Sequence, residues 1–303
     1  MTDRGGSDRL PDFFIVGAPK CGTTAMYDYL RQHPQIHMSF IKEPLYFGSD
    51  LHARYGRIGT QEYEALFRDG PPGAMRGEAS AWYLYSSEAA REIAAVRPEA
   101  RIVVMLRNPI DVMYAQHSQL LYNRQENLVD FEEALEAEED RVAGRRLPPW
   151  PLRPENLFYR RMVRFAEQLE RYHAAFGRDL VHVIVFDDLR ADARSVYRRL
   201  LEFLGVDPTV EVDLTPSNEN KRVRAGWLQS LIWNPPLIRP LIPRLRRFPI
   251  VHRARALLLR ANSRQTARPP MDPALRARLA EEMRPELERL GALLGRDLGH
   301  WAA

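Results

Sequence analysis

A chain of 303 residues with 45% hydrophobic and 28% charged residues has an ordinary globular composition and is long enough for one large domain. No apolar run approaches the roughly 18 residues that a transmembrane helix needs, and the polar start of the sequence predicts no signal peptide. The single cysteine, Cys21, excludes an intrachain disulfide, so we expect a cytoplasmic protein.

The formal charge of +4 conceals an uneven distribution along the chain. Residues 221–268 contain twelve basic residues and no acidic ones, so by subtraction from +4 the remaining residues sum to −8. Such a block can meet nucleic acid, a membrane surface or an anionic small ligand. It matches no nucleic-acid-binding motif, so we expect no nucleic-acid partner and regard membrane association as the weaker alternative.

The hydrophobic pattern predicts strands that alternate with helices. The predicted strands are Phe13–Val16, a strand from Gly77, Arg101–Leu106 and Leu180–Phe186, with Ile41–Phe47 as a short strand or turn. The predicted helices are one after Gly22 and those over 60–69, 86–96, 111–122, 156–176, 193–204 and 273–294. Residues 1–11 are expected to be a disordered lead. Residues 12–303 then form one α/β domain with a central parallel sheet flanked by helices, in which 221–270 is a basic cap segment rich in proline and arginine.

The loop between the first strand and the first helix carries the strongest functional signal. Residues 17–24 read Gly-Ala-Pro-Lys-Cys-Gly-Thr-Thr. The glycines allow successive N–H groups to point at one anion, the helix adds its positive end, and Lys20 adds a full charge. The sequence therefore predicts a site for a phosphate or a related group. The predicted ligand-binding residues of this loop are Lys20, Cys21, Gly22, Thr23 and Thr24.

The position of the lysine separates this loop from a Walker A loop, in which lysine follows the second glycine. Gly17 and Gly22 have the Walker A spacing, but Thr23 occupies the lysine position and Lys20 lies inside the loop. The loop resembles the 5′-phosphosulfate loop of sulfotransferases that use 3′-phosphoadenosine 5′-phosphosulfate (PAPS). That resemblance implies a P-loop-like three-layer fold, with Lys20 at the oxygen that bridges phosphate and sulfate.

Lysine usage singles out the same loop. Of the 44 basic residues only Lys20, Lys42 and Lys221 are lysines. Where arginine has replaced lysine so widely, the remaining lysines are candidates for positions that need a compact point charge rather than a planar fork.

A second phosphate-binding segment is predicted where the strand Arg101–Leu106 ends in Arg107-Asn108-Pro109. A P-loop NTPase would have a metal-binding Asp there, whereas Arg107 suits bidentate phosphate recognition. The segment resembles the sulfotransferase element that binds the 3′-phosphate of PAPS. The family's serine eight residues after this arginine is replaced by Ala115, and Ser118, one turn further on, is the candidate substitute.

The segment Lys42-Glu43-Pro44 resembles the Lys-Glu-Pro element of heparan-type and bacterial carbohydrate-type sulfotransferases. The resemblance implies that Glu43 removes the acceptor proton, which is needed because a hydroxyl is a poor nucleophile until it is deprotonated. His117 is the competing candidate for this base.

Other family-like segments suggest further contacts. Lys42, Ser80 and Tyr83 are expected to line the acceptor pocket, although core packing of Tyr83 is an equal alternative. Lys221 and Arg222 lie where the family folds a basic segment over the nucleotide.

The sequence as a whole predicts a PAPS-dependent sulfotransferase that releases 3′-phosphoadenosine 5′-phosphate (PAP). The acceptor would be a hydroxyl, or an amine, of a small molecule, carbohydrate or lipid. No metal is expected, because the eight histidines and one cysteine show no metal-ligand spacing. The alternatives are a Mg²⁺-nucleotide-dependent kinase with a variant phosphate loop and a non-enzymatic anion- or membrane-binding protein. The sequence does not determine the oligomeric state.

Overall fold

A computed structural model describes residues 10–52, 56–149, 153–215, 221–223, 263–265 and 268–302. For 221–223 and 263–265 only the backbone is described. Most of the predicted disordered lead and most of the predicted cap segment therefore lie outside the described residues.

The core of the fold is a parallel sheet of five strands in the order β2-β3-β1-β4-β5. All residues of β1 are buried, and β4 is buried from Ile102 to Leu106. Continuous apolar runs of this kind are typical of parallel strands that are covered on both faces, so the predicted α/β fold is confirmed. The strands are β1 Phe13–Gly17, β2 Ile36–Met38, β3 Met75–Ala79, β4 Arg101–Leu106 and β5 Val181–Val185.

Helices flank this sheet, and two short strands form a separate antiparallel pair. The helices are α1 Thr23–Leu30, α2 Thr60–Ala65, α3 Ala89–Val96, α4 Pro109–Tyr122, α5 Phe131–Glu136, α6 Glu138–Val142, α7 Tyr159–Met162, α8 Phe165–Phe176, α9 Phe186–Ala191, α10 Ala193–Leu204 and α11 Pro273–Leu294. The antiparallel pair is β6 Lys221–Val223 with β7 Ser263–Gln265. Single 3₁₀ turns cover Pro154–Leu157 and Gly299–Ala302. Of the helices described, none is long and apolar enough to cross a bilayer.

Helix boundaries with side-chain caps match the sequence prediction well. The Asn108 side chain accepts the Ile110 N–H at 3.0 Å at the start of α4. The Asp192 and Asp272 carboxylates do the same for α10 and α11. Because capping side chains satisfy N–H groups that have no partner within the helix, these starts can be recognised in the sequence.

Several elements differ from their prediction. Residues 41–47, predicted as a short strand or turn, form an irregular loop, and Glu43 and Leu45 have left-handed backbone angles that no strand allows. The edge strand β2 was missed. The predicted helix over 156–176 is divided into a 3₁₀ turn, α7 and α8, and Phe186, predicted as the end of a strand, begins helix α9.

The C-terminal turn ties together the ends of two strands. Trp301 is buried, and its Nε1 donates to Asp187 Oδ2 at 2.5 Å. The Trp301 carbonyl accepts a hydrogen bond from Asn108 Nδ2 at 2.8 Å. Since Asn108 follows β4 and Asp187 follows β5, this turn braces the edge of the sheet at which ligands bind in such folds.

Candidate active site

The phosphate loop leaves β1 between the two neighbouring strands β3 and β4. Ala18 N–H donates to Met105 O at 2.7 Å, which attaches the start of the loop to β4. Lys20 has a left-handed φ of 66° and Gly22 a φ of 92°. A Cβ at Gly22 would lie 3.2 Å from the Phe186 ring, so glycine is required there. Helix α1 begins at Thr23, and the first N–H groups of a helix have no acceptor within it, so they are available to an anion.

Cys21 does not take the ligand-binding role predicted for it. Its side chain is fully buried and its Sγ lies 3.5 Å from Pro19 O. Burial raises the pKa of this thiol to about 12, so it stays protonated and unreactive. Its backbone N–H already donates to Ala18 O at 3.3 Å. Cys21 therefore shapes the turn.

Lys20 lies in a concentration of positive charge. Burial, followed by the neighbouring Arg268, Arg107 and Lys42, lowers the pKa of Lys20 to about 8. Its Nζ donates to Gln119 Oε1 at 3.2 Å. Cations held together in this way are stabilised by an anion with several charges.

Arg107 extends this positive charge from the end of β4. Its Cζ lies 4.9 Å from the centre of the Phe186 ring, and its Nη2 lies 3.3 Å from Asp111 Oδ2. The other carboxylate oxygen of Asp111 is 3.0 Å from Arg276 Nη1. The Arg107 guanidinium is thus held in place but shares its counterion, as suits a phosphate-binding arginine.

Arg268 was not identified as a site residue from the sequence. Its Cζ lies 5.4 Å from the centre of the Tyr114 ring. Its Nε is buried and has no hydrogen-bond partner among the described residues. Burial and then Arg107 lower its pKa. Its only sequence signal is its place at the end of the basic block, directly before Pro269.

Ser118 lies on α4 beside this cluster. Its Oγ donates to Tyr114 O at 3.0 Å, so the hydroxyl is engaged with its own helix. Ser118, Tyr114 and Arg268 line a cavity of about 560 Å³. Ala115, at the family's serine position, is buried.

His117 has the contacts of a packed core histidine. Its Nε2 lies 2.9 Å from Leu128 O, and its ring contacts Phe131 and Tyr159 at 5.2 and 6.0 Å between ring centres. Burial lowers its pKa. These contacts support the 123–128 loop. His117 also lines the cavity beside Ser118, and its role as the base stays a prediction.

Glu43 is held at the same edge of the sheet, directly above β3. Its N–H donates to Ala79 O at 2.9 Å, and its Oε2 accepts the Ala81 N–H at 3.0 Å. Its Oε1 lies 2.6 Å from Lys42 Nζ. Because each carboxylate oxygen has a second lone pair and the side chain is 31% exposed, a hydroxyl can still approach it. Lys42 also belongs to the charge around Lys20 and so connects the two halves of the site.

Ser80 and Tyr83 lie beneath this loop and do not line a pocket. Ser80 Oγ accepts the Leu45 N–H, and Tyr83 Oη accepts the Phe47 N–H, each at 3.2 Å. Both side chains are fully buried. The prediction of Ser80 as an acceptor-binding residue is therefore corrected, and for Tyr83 the structure fits the alternative of core packing. The irregular loop needs partners for its backbone, and these side chains turn inward to supply them.

Glu78, a further buried carboxylate, was not identified from the sequence. It accepts hydrogen bonds from Tyr63 Oη at 2.6 Å and Tyr83 Oη at 3.1 Å. Burial raises its pKa to about 7. The carboxylate anchors the tyrosine that supports the 45–47 loop.

For Lys221 and Arg222 the structure gives the backbone alone. They lie in β6, opposite Gln265 and Arg264 of β7, and β6 lies against α4. Their proposed contact with the nucleotide stays a prediction. Among the described residues, no group of three or more His, Cys, Asp or Glu side chains has an arrangement that would hold a metal ion.

The fold and the site define an α/β protein with a cationic variant of the phosphate loop at one edge of a parallel sheet. The sulfotransferase domain family matches residues 10–223, and the chain belongs to that family. The predicted family and the predicted P-loop-like fold are therefore confirmed.

Individual proteins show the same likeness. The chain is 33% identical over 150 residues to carbohydrate sulfotransferase 15 of Homo sapiens, a match that covers 36% of this chain and 27% of that protein. It is 30% identical over 216 residues to bifunctional heparan sulfate N-deacetylase/N-sulfotransferase 4 of Mus musculus, covering 66% of this chain but 23% of the relative. The solved structure of a sulfotransferase from Alicyclobacillus acidocaldarius superposes with a TM-score of 0.73 at 29% identity, covering 97% of this chain and 99% of that one.

Proposed function

We propose that this chain transfers a sulfuryl group from PAPS to a hydroxyl, or an amine, of a carbohydrate or smaller acceptor. The observation that carries the proposal is the convergence of two sites at one sheet edge: a cationic phosphate site around Lys20, and a carboxylate, Glu43, that remains open to solvent. Lys42 links the two sites, because it forms an ion pair with Glu43 and its charge contributes to the lowered pKa of Lys20.

The described residues fit the donor. PAPS supplies the activated sulfuryl group. The buried, unpartnered Nε of Arg268 and the lowered pKa of Lys20 both indicate positive charge that the described residues do not fully neutralise. Lys20 with the first N–H groups of α1 would hold the 5′-phosphosulfate, and Arg107 with Arg268 the 3′-phosphate.

The chemical step exchanges one sulfur–oxygen bond for another and moves one proton. The acceptor oxygen forms a bond to sulfur while the bond between sulfur and the bridging phosphate oxygen breaks. Glu43 takes the acceptor proton. Lys20 and the loop N–H groups stabilise the charge that grows on the leaving phosphate oxygen of PAP. The names of the relatives, which refer to carbohydrate and heparan sulfate, support a carbohydrate as the first acceptor to try.

Donor binding is tested by calorimetry with PAP and with ATP, each with and without Mg²⁺. We expect PAP to bind without Mg²⁺ and the Lys20→Ala variant to lose that binding. ATP binding that requires Mg²⁺, with no binding of PAP, would contradict the proposal and favour the kinase.

The base is tested with labelled PAPS and desulfated heparin, followed by a panel of smaller hydroxyl compounds. Glu43→Gln should bind PAP normally and lose turnover by about 10²–10⁴-fold, since it cannot take a proton. Glu62→Gln, at an exposed position of α2, is the matched control and should behave as wild type. Near-normal turnover of Glu43→Gln would place the base elsewhere.

A further inference from the structure

The loop that follows Glu43 is held by side chains from outside it. Residues 44–51 contain no helix or strand. A single guanidinium, that of Arg57, donates to four of the loop's carbonyl groups. Its Nη1 lies 3.1 Å from Leu45 O and 2.9 Å from Phe47 O, and its Nη2 lies 2.8 Å from Leu51 O and also contacts Gly48 O.

The N–H groups of the same loop are held by a second set of side chains. The Glu92 carboxylate on α3 accepts the Gly48 N–H at 2.7 Å and the Ser49 N–H at 3.1 Å. Ser80 and Tyr83 accept the N–H groups of Leu45 and Phe47. Side chains therefore replace the backbone partners that a strand would have supplied.

This arrangement matters for Glu43 because of the backbone there. Glu43 and Leu45 have φ values of 62° and 54°, a region that residues with a Cβ rarely occupy. Such angles persist only where the surroundings hold them. The Glu43 N–H donates to Ala79 O, and the Glu43 carboxylate accepts the Ala81 N–H. On its C-terminal side, Arg57 holds the loop from Leu45 onward.

We propose that Arg57 is a positioning residue for the reaction: it fixes the 44–51 loop and thereby the direction of the Glu43 carboxylate. The inference rests on the proposed role of Glu43 as the base. A guanidinium suits this task because it is planar and has five N–H donors, whereas an ammonium has three and no fixed plane. Arg57 itself contacts the loop backbone and not the reacting atoms.

The test compares Arg57→Ala, Arg57→Lys and wild type in PAP binding, in kcat and KM with labelled PAPS and desulfated heparin, and in thermal unfolding. A misplaced base lowers kcat by about one to two orders of magnitude, while PAP binding at the separate phosphate loop is retained. Arg57→Lys should fall between Arg57→Ala and wild type. Guanidinium ion at low millimolar concentration should restore part of the kcat of Arg57→Ala, which a merely structural role would not produce. Arg68→Ala, which removes an exposed arginine from the turn after α2, is the control and should match wild type.

The possible outcomes separate this inference from the proposed function. If wild type is active and Glu43→Gln is inert, but Arg57→Ala turns over normally, only the positioning role is overturned. It is also overturned if PAP affinity and kcat fall together with the folded fraction, or if guanidinium restores nothing. A wild-type protein that binds PAP but sulfates no acceptor would overturn both proposals.

Discussion

Lys20 gives the site a pH dependence that can be predicted in sign. In the free protein its pKa is lowered to about 8, by burial first and by neighbouring arginines second. Bound PAP favours the protonated amine and raises that pKa. Affinity should therefore be greatest below pH 8 and weaken as pH rises, by up to about tenfold per pH unit above 8. Calorimetry at pH 7, 8 and 9 measures this directly.

The matched variant for that experiment is Lys20→Arg. An arginine stays protonated over this whole range, so its PAP affinity, even if lower, should not change between pH 7 and 9. A wild-type affinity that is equally constant would show that Lys20 does not titrate near pH 8.

At the scale of single residues, the sequence singled out the groups whose chemistry is tied to a motif. Lys20 and Arg107 follow β1 and β4 at the same sheet edge, as their segments suggested, whereas Glu43 lies in the loop after β2, a strand that the sequence did not reveal. The functional roles of all three residues stay predictions. Arg268 and Gln119 were missed because each acts through a contact with a residue distant in the chain. Arg57 was missed because its partners are backbone carbonyl groups, which leave no residue pattern in the sequence. The direction of a loop side chain was equally invisible, which is why Ser80 was assigned to a pocket and why Tyr83 could not be assigned to either the pocket or the core.

At the scale of elements, two carboxylates from other helices divide the predicted 156–176 helix. Glu138 of α6 accepts the N–H groups of Arg160 and Arg161 at 2.8 and 3.1 Å. Glu286 of α11 accepts the Ala166 N–H at 2.7 Å. These bonds give partners to N–H groups in the first turns of α7 and α8. Two helices therefore begin within a segment for which the apolar period alone predicts one continuous helix.

Removing one of these carboxylates should destabilise the fold in proportion to its burial. Glu138→Ala leaves two N–H groups without a partner and should lower the free energy of unfolding by about 1–3 kcal/mol. Its neighbour Glu139 is 83% exposed, with a distant partner at 3.6 Å, so Glu139→Ala should change it by less than about 0.5 kcal/mol. Urea unfolding of the two variants makes the comparison, and equal losses would show that Glu138 has no capping role.

Element prediction succeeded where the signals were local. Three elements have the predicted bounds: the strand Arg101–Leu106 and the helices Ala193–Leu204 and Pro273–Leu294. The strand is marked by its apolar run. Each helix is marked by its apolar period, by an N-terminal capping aspartate and by a glycine directly after its last residue. The edge strand β2 is three residues long, too short to show a period, and the division at 158–164 depends on residues far away in the chain.

At the scale of the whole molecule, the C-terminal turn joins parts of the chain that the sequence separates widely. Trp301→Ala removes a buried indole and its bond to Asp187, and should cost about 3–5 kcal/mol of stability. The melting temperature should fall by roughly 10 °C for a chain of this size. His300→Ala, at the exposed neighbouring position, should cost under about 1 kcal/mol. A melting temperature unchanged in Trp301→Ala would show that the turn does not brace the sheet.

The parallel sheet follows from the alternation of strands and helices, and the sequence predicted it. The order of the strands, β2-β3-β1-β4-β5, was not predicted, because it depends on which strands pair across long connections. The basic block over 221–268 was recognised from its composition alone. It has no hydrophobic period from which the bounds of helices or strands could be predicted. Of it, the structure describes the backbone of β6 and β7 and the side chain of Arg268.

The pairing of β6 with β7 has a consequence for how this chain can be altered. Val223 lies opposite Ser263, so two backbone positions that are 40 residues apart in the sequence are neighbours in space. An antiparallel pair whose ends meet in this way has the geometry that a two-residue Asn-Gly turn can close. A variant in which Asn-Gly replaces residues 224–262 is therefore a direct way to measure what that part of the chain contributes to folding and to PAP binding.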